Sequence, residues 1–290
     1  MNLTRVLQPY VCCLGNPVAG NPTQFVMYRA ARACGVDWRF FTSQVEVEQF
    51  ETAFHGVQAL GLSGMAIFDP FQSKALPLLD SVTESAMCLG RVNVARLDGN
   101  SWLGDNTFGT GIINCVERNV ESCMESEGGR LSLVLVIGDP RIAKAMCLAS
   151  PELADRIVVV PDVLDDHSKQ DAVERNQTDV IHARELASIE AFAQSGFRVG
   201  CLVLAKVPNA ILSRQIAALS WSGSASSLIL SNTTDKLLRQ WRDSVKVHSV
   251  THIELVDLMA HQAAADFYFW TGVMPAIDLI RDSFEEYLQW

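Results

Sequence analysis

The sequence has no long hydrophobic run: an uninterrupted apolar stretch of about 18 residues, the length that suggests a transmembrane helix, does not occur. The N-terminus also lacks the charged and then apolar segments of a signal peptide. We therefore expect a cytoplasmic protein with neither a membrane span nor a signal peptide.

The spacings typical of metal ligands are absent as well. The eight cysteines form no Cys-x-x-Cys pair, and the six histidines form neither His-x-x-His nor His-Glu-x-x-His. Most of the cysteines fall in apolar segments, which is typical of reduced thiols in a protein core. We expect no metal site.

Positive charge is scarce. Lysine and arginine number 23 against 33 acidic residues, which gives a formal net charge of −10. Nucleic acids and anionic membranes favour clustered basic residues, so neither is an expected partner. The 290 residues, 49% of them hydrophobic, are enough for two globular domains. A homodimer is possible, since dimers are the commonest soluble oligomers.

The most informative segment that is present is Leu131–Met146. Its first half is a nearly continuous apolar run that ends at Gly138, as in a strand buried on both faces of a parallel sheet. Good helix formers follow from Ile142. A strand, a tight turn and a helix in this order open a nucleotide-binding half-sheet.

The turn itself departs from a phosphate-binding loop. Only the first glycine, Gly138, is present, and Asp139, Pro140 and Arg141 fill the next positions. Proline has no N–H for a phosphate, and aspartate adds negative charge. Asp162, after the next predicted strand, is a candidate ligand for a ribose hydroxyl, or equally a turn-forming aspartate.

Strand and helix patterns alternate after residue 130, which predicts a doubly wound parallel sheet. The predicted strands are 131–137, 157–160, 179–183, 199–205 and 228–230. The first half of the chain is also α/β, with a helical stretch predicted over 75–89.

Several segments together resemble the shikimate dehydrogenase family, in the same order along the chain. They are Gly15–Ala19, Pro77–Asp80, Gly90–Asn93, Gly104–Gly109, Leu258–Ala263 and Phe269–Gly272. The resemblance implies an α/β substrate domain from residues 1–129 and 237–290, where the C-terminal helices complete it. It also implies a Rossmann-type nucleotide-binding domain from 130–236 and NADP or NAD as cofactor, although the substituted turn places cofactor binding in doubt.

The family's reaction moves a hydride between a hydroxyl-bearing carbon and a nicotinamide, and a paired lysine and aspartate usually handle the proton. Alignment on the resembling segments puts Gln72 at the lysine position and Phe108 at the aspartate position. Neither side chain can take up a proton near neutral pH. Lys74 is a possible surrogate, although helical geometry would point it about 200° away from Gln72. Asp69 is a second candidate for the surrogate base, although an aspartate at this place more ordinarily stabilises a turn.

The positions that the resemblance assigns to substrate are mixed. Asn93 and Gln262 match the family's ligand-binding amides, but each could equally satisfy backbone or interdomain polar groups. Asn21 and Thr23 replace two serines, Phe68 replaces a threonine, and Leu255 replaces a glycine close to the nicotinamide.

Three hypotheses follow. The first is a small-molecule-binding or regulatory relative, with a cyclic carboxylate as the expected ligand, whose dehydrogenase activity is lost or reduced. The second is an active NAD(P)-dependent oxidoreductase on shikimate, quinate or a related cyclic hydroxy acid, with a recruited base. The third is an assembly partner, which would expose an apolar patch around Phe68, Phe71 and Phe108.

Overall fold

A computed structural model describes residues 8–126, 134–150, 157–160, 194, 198–205, 210–230 and 250–289. The chain divides into two compact units. The first consists of Met1–Gly111 with Val256–Trp290, and the second of Ile112–Leu255.

The first unit is built on a six-stranded mixed sheet. Its strands are β1 (Tyr10–Gly15), β2 (Arg39–Gln44), β3 (Gly64–Ile67), β4 (Ser81–Val82), β5 (Val94–Asp98) and β6 (Ser101–Asp105). They lie in the order β2-β1-β3-β5-β6-β4. Strands β2, β1 and β3 are mutually parallel, whereas β5 forms an antiparallel hairpin with β6.

Nine helices accompany the strands in the described part of the chain. They are α1 (Thr23–Cys34), α2 (Phe50–Ala59), α3 (Gln72–Ala75), α4 (Glu84–Leu89), α5 (Phe108–Ser126), α6 (Pro140–Ala149), α7 (Ala210–Ala217), α8 (Leu255–Thr271) and α9 (Ile277–Leu288). None is long and apolar enough to cross a membrane among the residues described.

Helix α8 completes the core of the first unit. Phe267 and Trp270 both pack on Phe40 of β2, with ring centroids 6.1 and 5.9 Å apart. The Trp270 indole N–H donates to the carbonyl of Ala95, 3.0 Å away. A side chain at Gly64 would begin 2.7 Å from the Trp270 ring, so the bare glycine lets α8 approach the sheet. The C-terminal helices therefore belong to the same core as β1, β2 and β3.

The second unit contains a parallel five-stranded sheet. Its strands are β7 (Val134–Ile137), β8 (Ile157–Val160), β9 (Val199–Leu204), β10 (Trp221–Ile229) and β11 (Thr251–Ile253). The order β11-β10-β9-β7-β8 means that β8 and β9 lie on opposite sides of β7. Such a reversal of direction is where open α/β sheets bind ligands. The predicted α/β class, with a Rossmann-type parallel sheet, is confirmed.

Some predicted boundaries differ from the structure. Both predicted domain limits, at 129–130 and 236–237, fall inside the second unit, because the division comes near the start of α5 and of α8. The helix predicted over 75–89 is instead a broken segment that includes β4. Pro77 ends regular helix there, and Ser81 pairs with β6. The strand predicted over 179–183 lies outside the described residues.

Candidate functional site

A hydrogen-bonded cluster of three polar side chains lies in the first unit. Asn93 precedes β5, Thr107 precedes α5, and Asp266 is on α8. The Asn93 amide nitrogen donates to the Thr107 hydroxyl at 2.7 Å and to Asp266 Oδ1 at 3.3 Å. The Thr107 hydroxyl in turn donates to Asp266 Oδ1. Asn93 Oδ1 accepts from the Thr107 backbone N–H at 3.0 Å. Asn93 and Thr107 are therefore bonded to each other independently of Asp266.

Asp266 is the residue that sequence reasoning missed. The pKa of its carboxyl is raised to about 7, mainly because the group is removed from water. The hydrogen bonds from Thr107 and Asn93 lower the pKa in part, and the negative charge of Asp105 raises it. A carboxyl in this state changes charge close to neutral pH. Its sequence signal was available: it is a lone acid in the apolar run from Ala263 to Trp270.

Gln262, a predicted substrate residue, lies one helical turn before Asp266 on α8. Four residues of α-helix return to the same face, so the two positions share one side of the helix. A side chain at Gly111 would begin 2.9 Å from the Gln262 Cα and Cβ atoms, so this glycine allows α5 to approach α8 closely. Gln262 and Asp266 therefore share one face of α8, and Asn93 is bonded to Asp266.

The two positions of the family's catalytic pair hold structural contacts. The Gln72 side-chain amide donates to the carbonyl of Ile67 at 3.1 Å, which ties it to the end of β3. Its backbone carbonyl accepts from Val92, the residue before Asn93. Phe108 begins α5, and its backbone N–H donates to Asn106 Oδ1 at 3.2 Å. Neither residue offers a group that titrates near neutral pH.

The two proposed surrogate bases lie on the surface. Lys74 is exposed, on a helix where Gln72 is half-buried. Asp69 forms an ion pair with Arg91, and its side chain is 75% exposed. A solvent-exposed ion pair of this kind stabilises a loop only weakly, and the Asp69 carboxylate faces solvent.

The remaining substrate positions are partly buried. Asn21 Oδ1 accepts from the Thr23 backbone N–H at 2.9 Å, so this amide supports the start of α1. Phe68 follows β3, where its backbone N–H donates to Leu14. Phe68 also covers Gly15, since a side chain at Gly15 would begin 3.1 Å from the Phe68 Cβ atom.

The proposed apolar patch does not form around Phe71. This ring is completely buried and stacks on Phe50 with centroids 4.4 Å apart. Phe68 and Phe108 are only partly buried. Phe71 is a core residue, so the prediction of a three-phenylalanine surface was wrong.

In the second unit, Gly138 ends β7 at the reversal point of the sheet. Its φ of +116° disfavours other residues, and an added Cβ would lie 2.6 Å from the Ala205 Cβ after β9. The Ala205 N–H donates to Ile137 at 3.0 Å. The glycine thus keeps the close strand approach of a nucleotide-binding turn.

The rest of the turn is filled by its own charges. Asp139 caps α6, since its Oδ1 accepts from the Arg141 backbone N–H at 2.9 Å. The Arg141 guanidinium folds back onto the same carboxylate, with Nη2 2.6 Å from Oδ2. Pro140 has no N–H to offer. A pyrophosphate needs these helix-terminal amides, so the described residues of the turn do not fit one.

Two cofactor positions remain. Leu255 is the first residue of α8 and is partly buried. Asp162 lies outside the described residues.

The cysteines are free thiols wherever the structure describes them. Burial raises the pKa of Cys12 to about 12 and that of Cys13 further, so both stay protonated. No group of three or more metal-binding side chains occurs among the described residues.

The known proteins that are similar to this chain in sequence are shikimate dehydrogenases. Residues 13–95 match the shikimate dehydrogenase substrate binding domain. The NADP(+) shikimate dehydrogenase of Geobacter metallireducens is 32% identical over 50% of this chain and 49% of its own length. That of Bacillus subtilis is 24% identical over 92% of this chain and 93% of its own.

A solved structure extends the likeness in fold. Quinate dehydrogenase from Corynebacterium glutamicum, in complex with NAD, aligns with a TM-score of 0.71 and 19% identity. The alignment covers 96% of this chain and 99% of that one. The likeness in sequence is therefore to shikimate dehydrogenases, and the likeness in fold extends over nearly the whole chain.

Proposed function

We propose that this protein is a small-molecule-binding or regulatory member of its family in which ordinary shikimate dehydrogenase activity is lost or strongly reduced. The observation that carries the proposal is the pair of substituted positions. Gln72 spends its amide on a backbone carbonyl, and Phe108 presents a phenyl ring. Hydride transfer from a hydroxyl-bearing carbon needs a group that takes the hydroxyl proton, and neither can do so.

The turn after β7 supports the same conclusion independently. Family members that carry out this reaction need a bound nicotinamide, which supplies the hydride acceptor. Here the Asp139 carboxylate already occupies the end of α6 and is neutralised by Arg141. A second anion at this helix end would meet a carboxylate where it needs amides.

The first unit keeps groups that can bind a ligand. Gln262 stands where the family resemblance places a ligand-binding amide, and Asp266, which Asn93 and Thr107 hold in place, lies one helical turn beyond it. Such a mixture of donors and acceptors suits a small ring compound with several hydroxyls. A cyclic carboxylate is the ligand suggested by the resemblance.

The competing proposal is an active NAD(P)-dependent oxidoreductase with a recruited base. Its support does not come from Lys74 or Asp69, which lie on the surface. It comes from Asp266, because a carboxyl with a pKa of about 7 is in the range that a general base requires.

Turnover separates the two proposals. Shikimate and quinate are each supplied with NADP and with NAD, and nicotinamide reduction is followed by absorbance. We expect no rate above a control without protein. Turnover that disappears in Asp266→Asn would overturn the proposal in favour of the enzyme.

A variant shows which unit limits activity. Gln72→Lys combined with Phe108→Asp supplies both missing groups without altering the turn. We expect it to remain inactive, because the turn still does not fit a dinucleotide. Activity gained by this variant would contradict the interpretation of the turn.

A further inference from the structure

We propose that Asp266 is a ligand-contacting residue that accepts a hydrogen bond from a ring hydroxyl and makes the site favour neutral hydroxylated ring compounds over their carboxylate counterparts. The inference rests on the proposed binding function and narrows its ligand class. It concerns only residues of the first unit.

The first step is the arrangement of hydrogen bonds on the carboxyl. The bonds from Asn93 and Thr107 both end on Oδ1. Within the described part of the chain, no hydrogen bond ends on Oδ2, and Asp266 is only partly buried. A carboxylate oxygen in this position accepts from a donor brought by solvent or a ligand.

The second step is the neighbourhood. Asn93 holds one side of the carboxyl, and Gln262 lies one helical turn away on the same face of α8. Asn93 uses its own amide N–H groups on Thr107 and Asp266, so Gln262 is the candidate ligand-binding amide here. A small ring that reaches the Gln262 amide also reaches Oδ2, because residues one turn apart on a helix are only about 5–6 Å apart.

The third step is charge. Among the residues described, no ion pair involves Asp266. The titratable groups that act on it are Asp105, at the end of β6, and Cys13 of β1, and neither supplies positive charge. Asp105 itself accepts from the Thr83 hydroxyl and from the Asn106 N–H. An anionic ligand therefore meets uncompensated negative charge whenever Asp266 is ionised.

The preference depends on pH in a defined direction. Burial raises the Asp266 pKa to about 7, so the group is largely protonated in mild acid and ionised in mild base. A carboxylate ligand should bind more weakly as the pH rises through 7, whereas an uncharged ligand has no such repulsion.

The experiment compares shikimate with its methyl ester, which keeps the ring hydroxyls and loses the charge. Dissociation constants are measured by calorimetry at about pH 5.5 and pH 8.5, on either side of the Asp266 pKa. We expect the ester to bind at least about tenfold more tightly than the acid at the higher pH, and the ratio to fall towards one at the lower pH.

Asp266→Asn is the diagnostic variant, because it keeps the shape and removes the titrating charge. The ratio of ester to acid affinity should lose its pH dependence in this variant. Asp37→Asn is the matched control: it removes one charge from an exposed aspartate and should behave as the unaltered protein. If Asp266→Asn fails to fold, the pH dependence of the ester-to-acid affinity ratio in the unaltered protein is by itself the test of the proposal.

The outcomes separate this inference from the function on which it rests. Binding of shikimate that exceeds binding of the ester at both pH values overturns the role of Asp266 and leaves small-molecule binding intact. Affinities that Asp266→Asn leaves unchanged at both pH values have the same meaning. Absence of binding by either compound overturns both proposals.

Discussion

The turn after β7 and the cluster around Asp266 each contain a buried or half-buried aspartate, and they treat its charge in opposite ways. Asp139 is paired with the guanidinium of Arg141 and caps a helix with the same carboxylate. Asp266 receives hydrogen bonds from two neutral side chains, and burial raises its pKa to about 7. The first aspartate is bonded within its own turn, whereas one oxygen of the second receives no hydrogen bond from the described residues.

This difference separates a carboxylate that is neutralised within its own turn from a carboxyl that neutral donors hold. A carboxylate that is matched by its own arginine and helix end has little to offer a ligand. A carboxyl held by neutral donors retains chemistry that a ligand can use. The two units therefore hold their carboxyl groups by different physical means.

The largest expected effect is on the pH dependence of stability. Below the usual aspartate pKa of 3.8, folded and unfolded chains both hold the Asp266 proton. As the pH rises towards 7, the unfolded chain loses this proton while the folded chain keeps it, so the free energy of unfolding falls. The cost is complete above the folded pKa of about 7 and corresponds to roughly 4 kcal/mol.

Asp266→Asn removes that titration. Denaturant unfolding at several pH values should show the variant gaining stability relative to the unaltered protein as the pH rises from 4 to 8. Asp37→Asn should show a constant difference. A constant difference for Asp266→Asn as well would mean that Asp266 is not raised in pKa.

Gly138→Ala should disrupt the turn after β7. The new methyl group would lie 2.6 Å from the Ala205 Cβ, and the φ of +116° suits glycine alone. We expect a loss of about 3 kcal/mol in the free energy of unfolding, from overpacking and backbone strain together. Gly99→Ala is the control, since Gly99 has a positive φ in open space and should cost only about 1 kcal/mol. Equal losses of unfolding free energy in the two variants would contradict the close approach of Gly138 to Ala205.

A smaller effect is expected at the helix cap. Asp139→Ala removes the acceptor for the Arg141 N–H and should lower stability by about 1 kcal/mol, measured by urea unfolding. Asp139→Ser keeps a capping oxygen and should recover most of the loss. If both variants are as stable as the unaltered protein, the carboxylate does not support α6.

Much of the fold could be predicted from local patterns. The apolar run that ends at Gly138 and the helix formers after it gave β7 and α6 directly, because strand burial and helix propensity act over short distances. The α8 segment was recognised through its family motif. The helix predicted around Pro77 was wrong because the pairing of Ser81 with β6 outweighed the helical pattern of the sequence.

The site was harder to predict for a physical reason. Asn93 and Gln262 came from resemblance, but Asp266 belongs to an apolar stretch that local rules assign to the core. Its main partner, Thr107, is 159 positions away in the chain. Only the tertiary fold brings them together, although a lone acid one turn after Gln262 was a usable signal.

The most direct test of the difference between the turn after β7 and the cluster around Asp266 is thermal unfolding at a pH slightly below 7. NADP, NAD, shikimate and quinate are added separately. A ligand that binds only the folded chain adds about 2.7 kcal/mol at a hundredfold excess over its dissociation constant. We predict a raised midpoint with a cyclic acid and no change with either dinucleotide. A raised midpoint with NADP or NAD would contradict the account, because the turn after β7 would then accept a cofactor.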